Sequence, residues 1–219
     1  MGRDPLILGF DTSGPWCGAV LTRGTEVLAD FYVDMAKGQA EQLFPVLEDI
    51  LQRGGAQWRD LSAIGVGIGP GNFTGVRLSV SAARGLALGL GVPAVGVTAL
   101  EALACGTSGP VLSTVAAPRD HVYVQGFATD TPIAAQLISV ADIPQDWSIP
   151  GLVALGTGAK AVAAHLEVAT PPAPYAPASA IARLTAERWH SSPPAPVPLY
   201  LKPADAAPSK DALPVILDQ

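Results

Sequence analysis

Charge is what this chain most lacks. Only 15% of its 219 residues are Asp, Glu, Lys or Arg, and 13 basic against 19 acidic side chains leave a formal net charge of −6. That is not the basic footprint of a stand-alone nucleic-acid binder, so in any reaction on RNA another subunit must supply most phosphate contacts. Cysteine is nearly absent: Cys17 and Cys105 make no disulfide framework and no metal-ligand spacing. Neither has a basic neighbour in sequence that would activate a thiolate. The three histidines, His121, His165 and His190, are isolated, with no pair at a spacing a helix could aim at one ion, so no metal site is expected. No apolar run reaches the roughly 20 residues that span a bilayer. The opening MGRDPLILGFD has too short an apolar core for a signal peptide, and Asp11 interrupts it. The expectation is a soluble cytoplasmic protein with no membrane partner.

Catalytic motifs are missing too. A Walker A loop needs a lysine after its glycines, and none lies between Lys37 and Lys160. A dinucleotide fingerprint fails because Asn72 stands where the third glycine would follow Gly67 and Gly69. No G-x-S-x-G nucleophile elbow occurs. No residue is assigned a catalytic role.

What the chain does have is apolar material, 49% of residues, ample for a large core. The most informative stretch is Gly65 to Gly89, GVGIGPGNFTGVRLSVSAARGLALG, which reads as buried strand, glycine-rich turn and small-residue helix with almost no slack. Gly67, Gly69 and Gly71 permit positive φ or close approach, and Thr74 can cap the helix through its hydroxyl. Such a junction suits an anion or a close-packed neighbour.

Residues 6–33 read as a three-strand meander with turns at 11–15 and 23–25. A helix follows over about 39–53, with Leu43, Leu47, Ile50 and Leu51 at helical spacing. Pro45 predicts a kink or a true start near Leu43. Strand 63–68, helix 74–90, strand 93–97 and a short helix at 98–105 complete a mixed sheet covered by helices. Gly106 to Pro110 marks a boundary. Beyond it VLSTVAAPRDHVYVQGFA repeats the strand-turn-strand plan, and LVALGTGAKAVAAHL repeats strand, glycine turn and helix. This predicts a first lobe over 1–106 that also receives a helix at about 178–190, a second lobe over 107–190, and an extended proline-rich tail over 191–219.

Two constellations are candidates for function. Asp11-Thr12-Ser13-Gly14 ends a strand and turns into the next, where sugar kinases, actin and Hsp70-type ATPases handle Mg²⁺ and phosphate; an Asx turn explains it equally. Asp11, Thr12 and Ser13 with Gly69, Gly71 and Thr74 make a vestigial phosphate site, because the matching place in the second lobe holds Ala116-Ala117-Pro118-Arg119 and no carboxylate before Asp120. The second constellation is a helix pair. Helix 74–90 is rich in small residues, and its charges Arg77 and Arg84 are seven apart, as are Glu41 and Glu48 on the preceding helix. Solvated charge pairs explain this as well as a contact between protomers. The second reading predicts an interface of Glu41, Leu43, Phe44, Leu47, Glu48, Arg77, Ser81, Arg84 and Leu88.

The block GPGNFTGVRLSVSAARGLALGLGVPAVGVTALEALA at 69–104 resembles the signature region of the TsaB (YeaZ) family. ILGFDTSGPWCGAVL at 7–21, AEQLFPVLEDIL at 40–51, GTGA at 156–159 and PLYLK at 198–202 fall in the family's order. The resemblance implies an α/β ASKHA (actin/Hsp70-like ATPase) fold of two RNase-H-like lobes with mixed sheets. It also implies a part in making N6-threonylcarbamoyladenosine at position 37 of tRNAs. On this reading the chain is a non-catalytic subunit that pairs with a TsaD-like catalytic subunit through first-lobe helices, joined by a TsaE-like ATPase. It would form a homodimer in isolation and reach tRNA through the complex. It would bind no cofactor itself, ATP and metal belonging to partner subunits. Gln39 departs from the histidine many relatives carry, and Ala116 and Pro118 replace polar cleft residues. Two other classes compete: an active ASKHA phosphotransferase using Asp11 and the glycine turns, and a glycoprotease-like peptidase.

Overall fold

The computed structural model describes residues 4–201. Two mixed sheets organise them. The first contains β1 (Leu6–Asp11), β2 (Trp16–Arg23), β3 (Glu26–Asp34), β4 (Ala63–Gly67) and β5 (Ala94–Val97), in the order β3-β2-β1-β4-β5. The meander pairs antiparallel, and β4 and β5 join in parallel. The central strands β1 and β4 are buried along their whole length, as a sheet covered on both faces requires. Edge strand β3 alternates between exposed and partly buried positions.

Side chains of β1 divide between two layers. Leu6, Leu8 and Phe10 face a core built with α1 (Gln39–Arg53) and α2 (Phe73–Leu90). Ile7 packs on the opposite face with Ala178 and Ala182 of α5 (Pro177–Arg188). Gly9 and Gly65, register partners on β1 and β4, let α5 lie directly on the strands. A Cβ at Gly9 would stand 2.8 Å from the Ala178 carbonyl oxygen, and one at Gly65 would overlap Thr185 Oγ1. Thus α5, which follows the whole second sheet in the chain, closes the first sheet.

The second sheet contains β6 (Val111–Ala117), β7 (His121–Phe127), β8 (Gln136–Ser139) and β9 (Val153–Leu155), in the order β8-β7-β6-β9. Its hairpins are antiparallel and β9 joins β6 in parallel. Third, second, first, fourth is also the order of the opening four strands of the first sheet, so one topology occurs twice. In the second copy the helix between third and fourth strands is replaced by two 3-10 turns, at Val140–Asp142 and Gln145–Trp147. α4 (Ala159–Leu166) covers one face through Val162 and Leu166. The short α3 (Ala99–Ala104), closed by a Thr98–Glu101 capping box, follows β5.

α1 spans the expected range, Gln39–Arg53; of the kink and the start near Leu43 that Pro45 predicts as alternatives, the start near Leu43 does not occur. Proline removes the bond to the Glu41 carbonyl, but the helix is anchored by Gln42 N–H to Gly38 O and by five buried side chains beyond. α2 is capped by Asn72, whose side chain accepts from Gly75 N–H, and not by Thr74, which lies exposed inside the first turn. The expected tail is without regular structure from Ser192 to Leu201, and 202–219 lie outside the described residues.

Gly65→Ala should destabilise the fold by about 1–3 kcal/mol, as overpacking does, because its methyl would collide with Thr185 and Ile181. Urea denaturation followed by far-ultraviolet circular dichroism checks this; an unchanged midpoint would mean that α5 does not rest on β4.

Candidate functional site

The turn between β1 and β2 fixes the chemistry of the first lobe. Asp11, at the end of β1, is 2% exposed. Its carboxylate accepts from Ser13 N–H at 3.1 Å, Ser13 Oγ at 3.0 Å and Trp16 Nε1 at 2.8 Å. It also presses against Gly67, where any Cβ would overlap Oδ1. Burial raises its pKa above the ordinary aspartate value, and the bonds from Trp16 and Ser13 act in the opposite direction. This is the Asx-turn reading, reinforced by an indole.

The other residues of that turn point into α2. Thr12 Oγ1 donates to the Gly75 carbonyl at 2.7 Å. Its own carbonyl oxygen occupies the space a Cβ at Gly75 would need. Ser13 O accepts from Asn72 N–H at 2.6 Å and closes on Gly71 in the same way. Of the anion and the close-packed neighbour that this junction suits, the neighbour is present and belongs to the chain itself. Gln39 adds a tether: its Nε2 donates to Gly14 O at 3.0 Å and to Met35 O at 3.1 Å. It binds the start of α1 to the same turn.

A cleft of about 880 Å³ opens between the two sheets. Asp11, Ser13, Trp16, Gly67 and Gly71 line one side, and Ala116, Ala117, Pro118, Tyr123 and Thr157 the other, with Leu103 and Tyr175 behind. Among the described residues its lining has no lysine, arginine or histidine. Its one carboxylate has both oxygens engaged. Of the six residues expected at a phosphate site, Asp11, Ser13 and Gly71 reach the cleft. Thr12 is turned into α2, Thr74 lies on its exposed face, and Gly69, at φ 85°, packs against Val76. The second-lobe turn places Arg119 and Asp120 in the left-handed region, and both line a different groove with His121, Lys160 and His165. Among the described residues no three His, Cys, Asp or Glu side chains could hold one metal ion. Burial raises both thiols, with Asp11 adding to Cys17 and Glu187 to Cys105.

The expected interface residues divide. Leu43 and Leu47 are fully buried in the first core, so they offer nothing to a partner, which corrects their assignment. Glu41, Phe44 and Glu48 on α1 are exposed, as are Arg77, Ser81, Arg84 and Leu88 on α2. Leu88 is 87% exposed. Beside it, Gly85 and Gly89 have open space where a side chain would stand. Arg77 faces no carboxylate among the described residues. Its guanidinium lies 3.8 Å above the Phe73 ring, and Nε donates to Tyr200 Oη at 2.8 Å. Phe73 and Tyr200 were absent from the expected set. Each stands inside a family-like segment, GNFTG and PLYLK, but the bond that brings Tyr200 to Arg77 spans 123 residues and has no local signal.

A family model described as TsaD, tRNA N6-adenosine threonylcarbamoyltransferase, matches residues 34–175. The Escherichia coli tRNA threonylcarbamoyladenosine biosynthesis protein TsaB is 33% identical over 129 residues, 57% of this chain and 55% of that protein. The chain thus spans about half the length of the curated TsaB relatives it matches. An uncharacterized Mycobacterium tuberculosis protein is 31% identical over 92% of this chain and 94% of its own length. Among solved structures, YeaZ from Pseudomonas aeruginosa superimposes with a TM-score of 0.75 at 25% identity, covering 90% of this chain and all of that one. The fold is that of the actin/Hsp70-like ATPases, with two mixed sheets. The chain belongs to the TsaB/YeaZ family.

Because the folded-state pKa of Asp11 is raised, folding favours its protonated form, and that stabilisation is lost as pH rises from the unfolded value near 3.8 through the folded one. Asp11→Asn carries no such penalty, so its stability relative to the parent should increase as pH is raised from about 4 toward neutrality. Denaturation midpoints of both proteins at matched pH measure the difference. A flat difference would refute the burial account.

Proposed function

We propose that this chain is the non-catalytic, dimerising subunit of a tRNA N6-threonylcarbamoyladenosine transferase. It docks on a TsaD-like catalytic subunit through the exposed face of α1 and α2. The observation that carries the reading is Leu88, almost wholly exposed between two glycines that no neighbour in the chain requires. A glycine inside a helix costs about 1 kcal/mol relative to alanine. Glycines without an internal packing role leave a shallow surface onto which another helix can settle, and burying Leu88 there is worth about 1.5–3 kcal/mol. Phe44, Ser81 and Arg84 extend this surface, and Glu41 and Glu48 rim it. The E. coli and other curated relatives are tRNA threonylcarbamoyladenosine biosynthesis proteins, which supports this pathway.

The chemistry then belongs to the partner. Asp11 is held by Trp16 and Ser13, and the cleft carries no cationic side chain to meet a triphosphate, which weighs against a phosphotransferase working alone. No nucleophile or metal cluster among the described residues supports a peptidase. The chain acts by holding the catalytic subunit in its competent conformation, a shift of population rather than a bond-making step. A TsaE-like ATPase joins the assembly, ATP and metal reside on the partners, and tRNA is reached through the complex. In isolation the same face would pair two copies.

Leu88→Glu and Arg84→Glu should each weaken binding to the TsaD-like subunit at least tenfold in calorimetry while leaving the thermal midpoint of the free chain unchanged. Modification of tRNA by the reconstituted complex should fall in parallel. Parent-like binding by both variants would remove the α2 face from the account. Leu47→Asp is unsuitable for this purpose, since it would place a carboxylate in the core and unfold the lobe.

A further inference from the structure

The stretch 192–201 does not trail away from the fold. It crosses the first lobe as a strap. Leu199 N–H donates to Ile68 O at 2.8 Å, on the loop that leads from β4 to α2. Pro196 lies 3.4 Å from where a Cβ at Gly96 would stand. The strap then delivers Tyr200 to the first turns of α2, where its hydroxyl accepts from Arg77 Nε at 2.8 Å and its ring lies 5.6 Å from that of Phe73. The guanidinium is 3.8 Å from the Phe73 centroid and 5.8 Å from the Tyr200 centroid. A long, rotamer-rich side chain is thereby held by two rings and a hydrogen bond, at an exposed position, with no carboxylate among the described residues in ion-pair range.

We infer that the strap completes the docking surface, with Tyr200 and Phe73 positioning Arg77 to receive a carboxylate of the TsaD-like partner. The inference rests on the docking role proposed above and adds a second anchor to it. Nε is already engaged, so the terminal amino groups remain for a fork-shaped contact, and a guanidinium fixed in advance loses less freedom when it binds. Arginine flanked by half-exposed aromatic rings is also the composition of interface hot spots. Phe73 and Tyr200 are 55% and 51% exposed, enough to close around an incoming acidic side chain. Arg77 and Leu88 lie on one stripe of α2, eleven residues or about 16 Å apart, so both anchors meet the same partner face. A protein carboxylate fits better than RNA phosphate because the stripe carries only Arg84 as a further cation beside Ser81, Gly85 and Leu88, on a chain of net charge −6, which is not the basic footprint of a nucleic-acid surface.

The test compares Tyr200→Phe, Tyr200→Ala, Arg77→Ala and Arg77→Ala/Tyr200→Phe with Leu88→Glu in full-length chain. Affinity for the TsaD-like subunit is read by calorimetry, and tRNA binding to the assembled complex by fluorescence anisotropy. Tyr200→Phe should weaken partner binding three- to tenfold and Tyr200→Ala more than tenfold. The double variant should be no weaker than Arg77→Ala alone, since both changes remove one contact. If Leu88→Glu weakens binding while both Tyr200 variants match the parent, the strap has no part in docking and the inference fails, though the docking role stands. If Leu88→Glu also matches the parent, the docking role itself fails. Loss of tRNA affinity without loss of partner affinity in Arg77→Ala would make phosphate the occupant and overturn the inference. Tyr200→Phe retains the ring, so it decides the matter should Tyr200→Ala fold poorly.

Discussion

The architecture turns on two backbone carbonyls pushed against the start of a helix. Thr12 O enters the first turn of α2 where Gly75 leaves room, and Ser13 O enters the loop just before it at Gly71; either position with a side chain would drive the β1–β2 turn away. That contact locks β1, β2 and α2 together. With Gln39 bonded to Gly14 O, it also fixes where α1 begins. The orientation of both helices on the sheet, and hence the surface they offer, follows from this one wedge. It also consumes donors at a helix N-terminus that would otherwise face the cleft, including Asn72 N–H, which Ser13 O accepts.

The cleft carries the mark of the same arrangement. A turn that in active members of this fold class handles phosphate here spends its carboxylate on Trp16 and Ser13. The opposing turn contributes alanines and a proline, while Arg119 lines another groove. The shape of a two-lobed clamp persists with an apolar lining. The large apolar side chains Leu88, Phe44 and Phe73 are exposed on the outer helices instead.

Much of the fold was legible because it is written in short-range period. The meander, α2 and the recurrence in the second half all follow from alternation and turn residues, and β6–β9 repeat the strand order of β1–β4. What failed was whatever depended on a distant neighbour. Helical spacing revealed that Leu43 and Leu47 share a face with Ile50, but periodicity does not say whether a sheet or a second molecule covers it. Thr74 and Asn72 are both competent caps two residues apart, and the choice falls to Asn72, whose N–H Ser13 O accepts. Pro45 left open a start near Leu43 that tethering at Gln39 overrides. Tyr200 was invisible for the same reason, since nothing within a few residues of it predicts Arg77.

Gly85 and Gly89 carry one more implication. A helix that forgoes alanine at two solvent-facing positions is softer in the lone chain than its length suggests, and the deficit is recovered only if another surface closes over it. Stability would then be linked to occupancy: each tenfold excess of ligand over its dissociation constant adds about 1.4 kcal/mol to the apparent folding free energy. Copies left without a companion would be the first to open and be degraded, so that cellular levels of the two proteins would equalise through turnover, with no dedicated regulator.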